Sequence, residues 1–296
     1  MTRFINPYTD FGFKRLFGEE ANKELLIDFL NALLPEKHRV KTLTFRNLEQ
    51  LGIITTDRKA VYDIFCTAEN GEHFIVEMQK AKQKWFKDRA LFYLTFPIRD
   101  QAPQGLVDGV EWDYELQAVY LIALLGFEYD KNEEKRKLER NVQLKDQDGD
   151  LFYDKLEMIF LQMPIFTKSE SELETQKDKW YYFLKNLSSF DQIPSILCEP
   201  VFEQAFATAE LARLNRDELL LYEASLKVYR DNYSAFETAK SEGKAEGRIE
   251  GRAEGRIEGR AERDIEIARS MKRKGYPTDD IVEMTGLSSI EIDRLD

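Results

Sequence analysis

The sequence predicts an α/β core, a helical region behind it, and a charged, glycine-rich tail. Three observations predict this. Two short apolar segments, Ala60–Cys66 and His73–Gln79, are rich in β-branched and aromatic residues and flank an Asn70-Gly71 turn, so they read as a hairpin. A longer apolar run, Leu116–Phe127, reads as a buried central strand, being too short and too interrupted by Gln117 to span a membrane. From Ser241 to Glu262 the chain repeats Glu-Gly-x-x, with glycines at 243, 247, 251, 255 and 259. The expected organisation is a core over 1–165, a helical region over 166–240, the repeat over 241–262 as helix or linker, and a small helical module over 263–296.

The elements follow in order. A helix is expected over roughly 11–34, with Phe13, Leu16 and Phe17 on one face and Pro35 as its stop. The hairpin comes next, then a helix from about Lys84 to Gln101 that sets Arg89 and Tyr93 at i, i+4. Strands are expected at roughly 113–127 and 155–164, with Asp146-Gln-Asp-Gly-Asp150 between them as a hairpin turn; its glycine comes too early for a calcium loop of the EF-hand type. From about Glu170 to Lys240 the pattern is helical, with Trp180, Phe183 and Leu184 in the core and local breaks at Pro194 and Pro200. The last segment, Thr278–Leu295, reads as two short helices around Gly286, an acidic module suited to packing or to a partner rather than to reading DNA.

Each hairpin segment carries an acidic residue among apolar ones, Asp63 and Glu77. A carboxylate in such a setting loses solvation and needs a donor, a cation or a metal ion as partner. Two on neighbouring strands suit Mg²⁺, which takes one or two carboxylates and keeps several waters. Side chains alternate faces along a strand, so Glu77 and Gln79 share one. Asp63 joins them if the loop is Glu69-Asn70-Gly71, a type I turn with a bulge that wants Gly71 left-handed. A two-residue Asn70-Gly71 loop would pair Asp63 with Met78 instead, and the two carboxylates would face opposite ways.

The wider pattern is Asp10-Phe-Gly-Phe-Lys14-Arg-Leu-Phe17-Gly18, Asp57-Arg58-Lys59, Asp63, Glu77-Met-Gln79-Lys80, Asp88-Arg89-Ala-Leu-Phe-Tyr93 and, later, Asp178-Lys-Trp180-Tyr-Tyr-Phe-Leu-Lys185. It resembles the PD-(D/E)XK nuclease family transposases, the recombination-promoting nucleases of bacterial genomes. The resemblance implies a restriction-endonuclease-like core, a mixed sheet flanked by helices, with Asp63 and Glu77 as metal ligands. It also implies an acidic residue from the first helix, for which Asp10 is the choice; a helix N-cap is the other reading of Asp10. The chain departs from the superfamily pattern at Gln79, where Lys is usual, and at Tyr62, where Pro precedes the metal-binding Asp.

The chemistry implied is phosphodiester hydrolysis supported by Mg²⁺ or Mn²⁺, which stabilises charge on phosphate oxygens and acidifies a bound water. Catalytic candidates are Asp63, Glu77, Gln79 and Asp10, with Asp63, Glu77 and the Met78 carbonyl holding the ion. Gln79 brings no charge, although its amide can orient a water; Lys80 and Lys82 lie near enough in sequence to supply one.

The net charge is −12, yet residues 1–100 hold 16 Lys and Arg against 14 Asp and Glu, so the acidity belongs to the remainder. Lys80, Lys82, Lys84, Lys87 and Arg89 directly follow the candidate site and make a DNA-binding patch, or else a solvated helix face. Trp85, Phe86 and Tyr93 among them read as core. Cys66 and Cys198 lie far apart and read as reduced thiols. With only His38 and His73, histidine-based zinc sites are not expected. The first residues carry no apolar run, so a cytoplasmic protein is expected.

On a helix, the tail repeat makes separate stripes of Glu, Gly, Lys/Arg and Ala/Ile that drift slowly around the axis. The glycine stripe would admit a second backbone, giving a homodimer with a right-handed crossing. Glycine's cost in a helix favours a flexible linker instead. The functional expectation is therefore a metal-dependent endonuclease acting on double-stranded DNA as a homodimer. The alternatives are a nuclease fold without turnover that binds DNA or protein, and a self-assembling interaction protein whose repeat is the working part.

Overall fold

The computed structural model describes residues 2–50, 60–102, 114–129 and 136–295. Asp57, Arg58 and Lys59 of the quoted pattern lie outside the described residues. The chain divides into two compact units, residues 1–230 and 231–296.

The first unit is built on a six-stranded mixed sheet. Its strands are β1 (Leu43–Phe45), β4 (Ile64–Ala68), β5 (His73–Gln79), β6 (Val119–Leu125), β7 (Glu139–Lys145) and β8 (Leu151–Gln162), ordered β1-β4-β5-β6-β8-β7. β5–β6 and β6–β8 are parallel and the other pairs antiparallel. Two further strands, β2 (Glu49–Gln50) and β3 (Ala60–Val61), pair separately. β6 is central and buried along its whole length, as its unbroken apolar run requires.

Period-two alternation divides the core into two faces. Ile64, Cys66, Phe74, Val76, Tyr120, Ile122, Ile159 and Leu161 pack on one side, against α1 (Asp10–Phe17), α2 (Lys23–Leu33), α4 (Gln176–Asn186) and α5 (Pro200–Ala209). Phe65, Ile75, Leu121, Ala123 and Phe160 pack on the other side, against α3 (Phe86–Arg99). Trp180, Phe183 and Leu184 are buried as expected, and Trp180 Nε1 donates to Asp28 Oδ1 at 2.7 Å.

Several expected elements are corrected. The first helix is two helices, not one spanning 11–34. α1 stops at Gly18, whose N–H returns to the Lys14 carbonyl (2.7 Å), and the Asn22 amide takes the Arg15 carbonyl (2.9 Å). Glycine is a poor helix former and these two bonds occupy carbonyls left free at the helix end. Thr9, not Asp10, is the N-cap: its Oγ1 accepts from the Gly12 N–H at 2.9 Å. Trp85 is 65% exposed rather than core, while Phe86 is buried. The Asp146–Asp150 turn does join a hairpin, but its first strand, β7, was not foreseen. β7 is an edge strand whose only alternation, Val142 and Leu144 among polar residues, is short and exposed, so it marks a strand weakly. The helical region is interrupted around Pro194 and Pro200 as expected, and Pro200 itself opens α5 at its first turn.

The repeat falls within α6 (Arg216–Arg273). In the second unit, Ala268, Ile281 and Ile292 form a small core between α6, α7 (Thr278–Thr285) and α8 (Ser289–Asp293). Gly286 lies between α7 and α8 with φ +72°, as the two-helix reading expects. Lys272 Nζ donates to the carbonyls of Ile292 (3.0 Å), Asp293 (3.1 Å) and Leu295 (2.7 Å), which holds α8 at its C-terminal end. Among the described residues no helix is long and apolar enough to cross a membrane.

Candidate active site

The β4–β5 hairpin fixes which residues meet. Ala68 donates its N–H to the Glu72 carbonyl (2.9 Å), Gly71 donates to the Ala68 carbonyl (3.0 Å), and Gly71 has φ +86°. This is the three-residue loop Glu69-Asn70-Gly71, and it excludes the two-residue alternative. Ladder pairs follow as Thr67 with His73, Cys66 with Phe74, Phe65 with Ile75 and Ile64 with Val76. The same register carried one step further sets Asp63 opposite Glu77, at a position that antiparallel alternation leaves without ladder bonds and where side chains come closest.

The ladder stops there. At the next step Tyr62 would pair with Met78, but the Tyr62 N–H donates instead to the Leu48 carbonyl (2.9 Å). The Met78 N–H is taken by Asp63 Oδ2 at 2.7 Å. The Asp63 N–H in turn donates to Glu77 Oε1 at 3.2 Å. Each carboxylate thus spends one oxygen on the opposite main chain. The second oxygen of Glu77 faces Arg89 Nη2 at 3.7 Å.

Burial and charge act on this pair together. Glu77 is only 7% exposed. Loss of solvation first, and the neighbouring Asp63 carboxylate second, push its carboxyl up to about 8. Asp63 is also raised, chiefly by burial, against the pull of the Met78 N–H. Lys14 from α1 and Arg89 from α3 oppose the rise at both residues, so cations reach the pair from both faces of the sheet.

The remaining candidates divide between those faces. Glu77 and Gln79 border a hollow with Arg89 and Tyr93; Arg89 stacks over the Tyr93 ring at 4.8 Å, and the Tyr62 hydroxyl donates to the Tyr93 carbonyl at 3.0 Å. The Gln79 amide donates to the Ala81 carbonyl (3.1 Å). Asp10 lies close enough to raise Asp63, but its carboxylate is held by Lys14 at 3.0 Å. Lys80 is half-buried and feels both Asp10 and Asp63. Lys82 donates to the Tyr129 carbonyl (3.1 Å), Lys87 lies over the Tyr129 ring (5.2 Å) and Lys84 over Trp85 (5.0 Å), so these three stand apart from the carboxylates. Sequence reasoning missed Lys14; its spacing of four from Asp10 on one helix was the available signal.

A buried and a half-buried carboxylate, both pushed toward the neutral form, are the surroundings a divalent cation relieves, and their donor chemistry suits Mg²⁺ or Mn²⁺. Among the described residues, no third His, Cys, Asp or Glu joins them in a metal-holding group, so water would fill the other positions.

A family model described as PD-(D/E)XK nuclease family transposase matches residues 7–239. The comparison with curated proteins gives no match. Neither does the comparison with solved structures.

Proposed function

Since the chain belongs to the PD-(D/E)XK nuclease family transposases, we propose that it is a Mg²⁺- or Mn²⁺-dependent endonuclease that cuts double-stranded DNA in transposon-like recombination. The observation that carries this reading is the Asp63–Glu77 pair, half-buried at Asp63 and buried at Glu77, cross-bonded and raised toward the neutral form at the point where β4 leaves β5.

Asp63 and Glu77 would hold the ion, with Asp10 and Gln79 as further members of the site. When bound, the cation would stabilise the charge that develops on the phosphate and make a bound water a better nucleophile. The cross-strand bonds fix both carboxylates before substrate arrives, which is the preorganisation that electrostatic catalysis requires. Gln79 orients water through its amide. Arg89, held by Glu77 and Tyr93, faces DNA phosphates. Lys80, Lys82, Lys84 and Lys87 extend the basic surface, giving salt-dependent binding that does not depend on sequence.

The protein acts as a homodimer in the cytoplasm, where its DNA lies. The repeat on α6 supplies the association: a Cβ at Gly247, Gly251 or Gly255 would meet nothing within 4 Å, so this stripe is open to a second chain. A second reading, a fold that binds DNA without cutting it, is favoured by the uncharged Gln79, whose amide is occupied by the Ala81 carbonyl. Plasmid nicking with Mg²⁺, with EDTA, and with Asp63→Ala decides between the two. Cleavage lost in both controls supports the nuclease; equal cutting by wild type and Asp63→Ala removes this site from the reaction; binding without cutting favours the second reading.

A further inference from the structure

The nuclease reading leaves one requirement open. Hydrolysis adds negative charge to the non-bridging oxygens of the scissile phosphate, and position 79 offers no cation to meet it. The basic side chains near the pair are mostly committed. Arg89 is engaged with Glu77 and with the Gln83 side chain (3.0 Å), and Lys14 with Asp10. Lys82, Lys84 and Lys87 turn toward Tyr129 and Trp85.

Lys80, like Lys84 and Lys87, makes no ion pair and no hydrogen bond among the described residues, and it differs from those two in leaving the strand that carries Glu77 and in having Asp10 and Asp63 as neighbours. It lies over the Tyr229 ring of α6 at 5.6 Å, half-buried, with Asp10 and Asp63 as the carboxylates nearest in effect. The ammonium keeps access to solvent, so a phosphate oxygen can replace water as its acceptor without breaking a bond within the protein.

The backbone fixes its direction. Strand alternation turns Glu77 and Gln79 toward α3, so the next side chain, Lys80, leaves on the α1 side. Gly126 then locks the strand end: its N–H donates to the Gln79 carbonyl (2.9 Å), and a Cβ there would come within 2.7 Å of the Lys80 carbonyl oxygen. Only glycine permits that approach.

We infer that Lys80 is the catalytic cation of this site, donating a hydrogen bond to a non-bridging oxygen of the scissile phosphate from the α1 side of Asp63. The inference rests on the nuclease reading. In the step it serves, a water oxygen bonds to phosphorus and the bond from phosphorus to one bridging oxygen breaks. One water proton passes to solvent, and the departing alkoxide takes a proton from solvent. Lys80 stays protonated throughout, offsetting charge without giving up its proton.

Two measurements on full-length protein test this. Single-turnover cleavage of a supercoiled plasmid should slow about 100-fold or more in Lys80→Met, the range for losing one preorganised donor to a developing oxyanion. DNA affinity should change by less than about tenfold, because a ground-state phosphate contact is one among many. Lys80→Arg should keep most of the rate. Independently of turnover, Mn²⁺ titration without DNA should show about threefold or more tighter binding in Lys80→Met, since a cation repelling the metal is gone; a variant that is merely misfolded would bind Mn²⁺ more weakly. A Lys80→Met protein that cuts and binds Mn²⁺ as wild type does overturns the inference and leaves the nuclease reading standing. A wild type that neither binds Mn²⁺ nor cuts overturns both.

Discussion

Asp63 Oδ2 accepts the Met78 main-chain N–H at 2.7 Å, in the place where the next bond of the β4–β5 ladder would form. One side chain thereby ends the ladder, satisfies the buried donor it exposes, and holds its own carboxylate beside Glu77. Structural and chemical roles of Asp63 are separable by substitution. Asp63→Asn keeps an acceptor oxygen and removes a charge that burial disfavours, so without metal at pH 8 it should be at least as stable as wild type. Asp63→Ala leaves the Met78 N–H without its acceptor and should lose about 1–3 kcal/mol. Both should be inactive. Urea unfolding of the two variants checks this; an Asn variant as unstable as the Ala variant would mean that the bond to Met78 carries little.

The pH dependence of stability follows from the raised carboxyls. Glu77 binds its proton more tightly in the folded chain than at its ordinary value of 4.5, with a folded value of about 8, and Asp63 is shifted the same way. The folded state therefore holds more protons than the unfolded state between those values, and stability falls as pH rises through this window. The contribution is full below about pH 4.5 and lost above about pH 8. Unfolding midpoints from pH 5 to 9 should decline in metal-free protein, and decline less in Glu77→Gln or with millimolar Mg²⁺. A wild-type profile that Glu77→Gln leaves unaltered would show that Glu77 is not shifted.

The hairpin was legible because parity and turn chemistry agree: Asn70-Gly71 in a three-residue loop and the pairing of Asp63 with Glu77 imply one another. The central strand was legible from an unbroken apolar run. β7 was not, since this exposed edge strand carries only the brief alternation of Val142 and Leu144 among polar residues. Neither was the break at Gly18, because Phe13, Leu16, Phe17 and the apolar residues of α2 face one core and keep a helical spacing across the gap. Asp63 and Glu77 were readable as local anomalies, charge amid apolar residues. Lys80 was readable only as a neighbour in sequence able to supply charge, Lys14 only through its spacing from Asp10, and Gly126 not at all, since their places come from chain segments that meet only in the fold.

Gly126 gives a direct test of that last kind. Gly126→Ala drives a methyl into the Lys80 carbonyl oxygen, so the loop after β6 or the end of β5 has to move. Overpacking of this sort costs about 1–3 kcal/mol. Cleavage should fall further than stability alone accounts for, because the displaced segment carries Gln79 and Lys80. Activity measured well below the unfolding temperature separates the two effects, and an unchanged rate in a folded Gly126→Ala protein would show that the strand end tolerates displacement.

Restoring a cation on the α3 face is a further test of the site. Gln79→Lys should retain or raise cleavage, because position 79 shares its face with Glu77 and is where the wider superfamily carries lysine. The Ala81 carbonyl that now binds the Gln79 amide can accept from an ammonium as well, so the change keeps a local partner. Initial nicking rates at matched Mg²⁺ concentration measure it. A Gln79→Lys protein that binds plasmid normally but has lost cutting would mean that the amide, rather than charge, is what the site uses there.

The repeat on α6 makes the last prediction. Ile249 and Ile257 are 69% and 70% exposed, eight residues apart, and the glycines among them face open space. Five glycines within a helix each cost about 0.8–1.0 kcal/mol relative to alanine, so a lone helix gains nothing from them. Glycine lets a second backbone pack most closely, and with one cut per active site, cutting both strands is easiest with two copies. Full-length protein should therefore be a dimer by light scattering, and truncation after Lys240 should give a folded monomer that mainly nicks one strand. Gly247, Gly251 and Gly255 replaced together by leucine should raise helicity yet weaken the dimer, because steric block opposes propensity. A linked second active site acts at a high effective concentration, so loss of the dimer should slow the second cut far more than the first. A full-length monomer, or a dimer that survives truncation, would assign the repeat a role other than self-association.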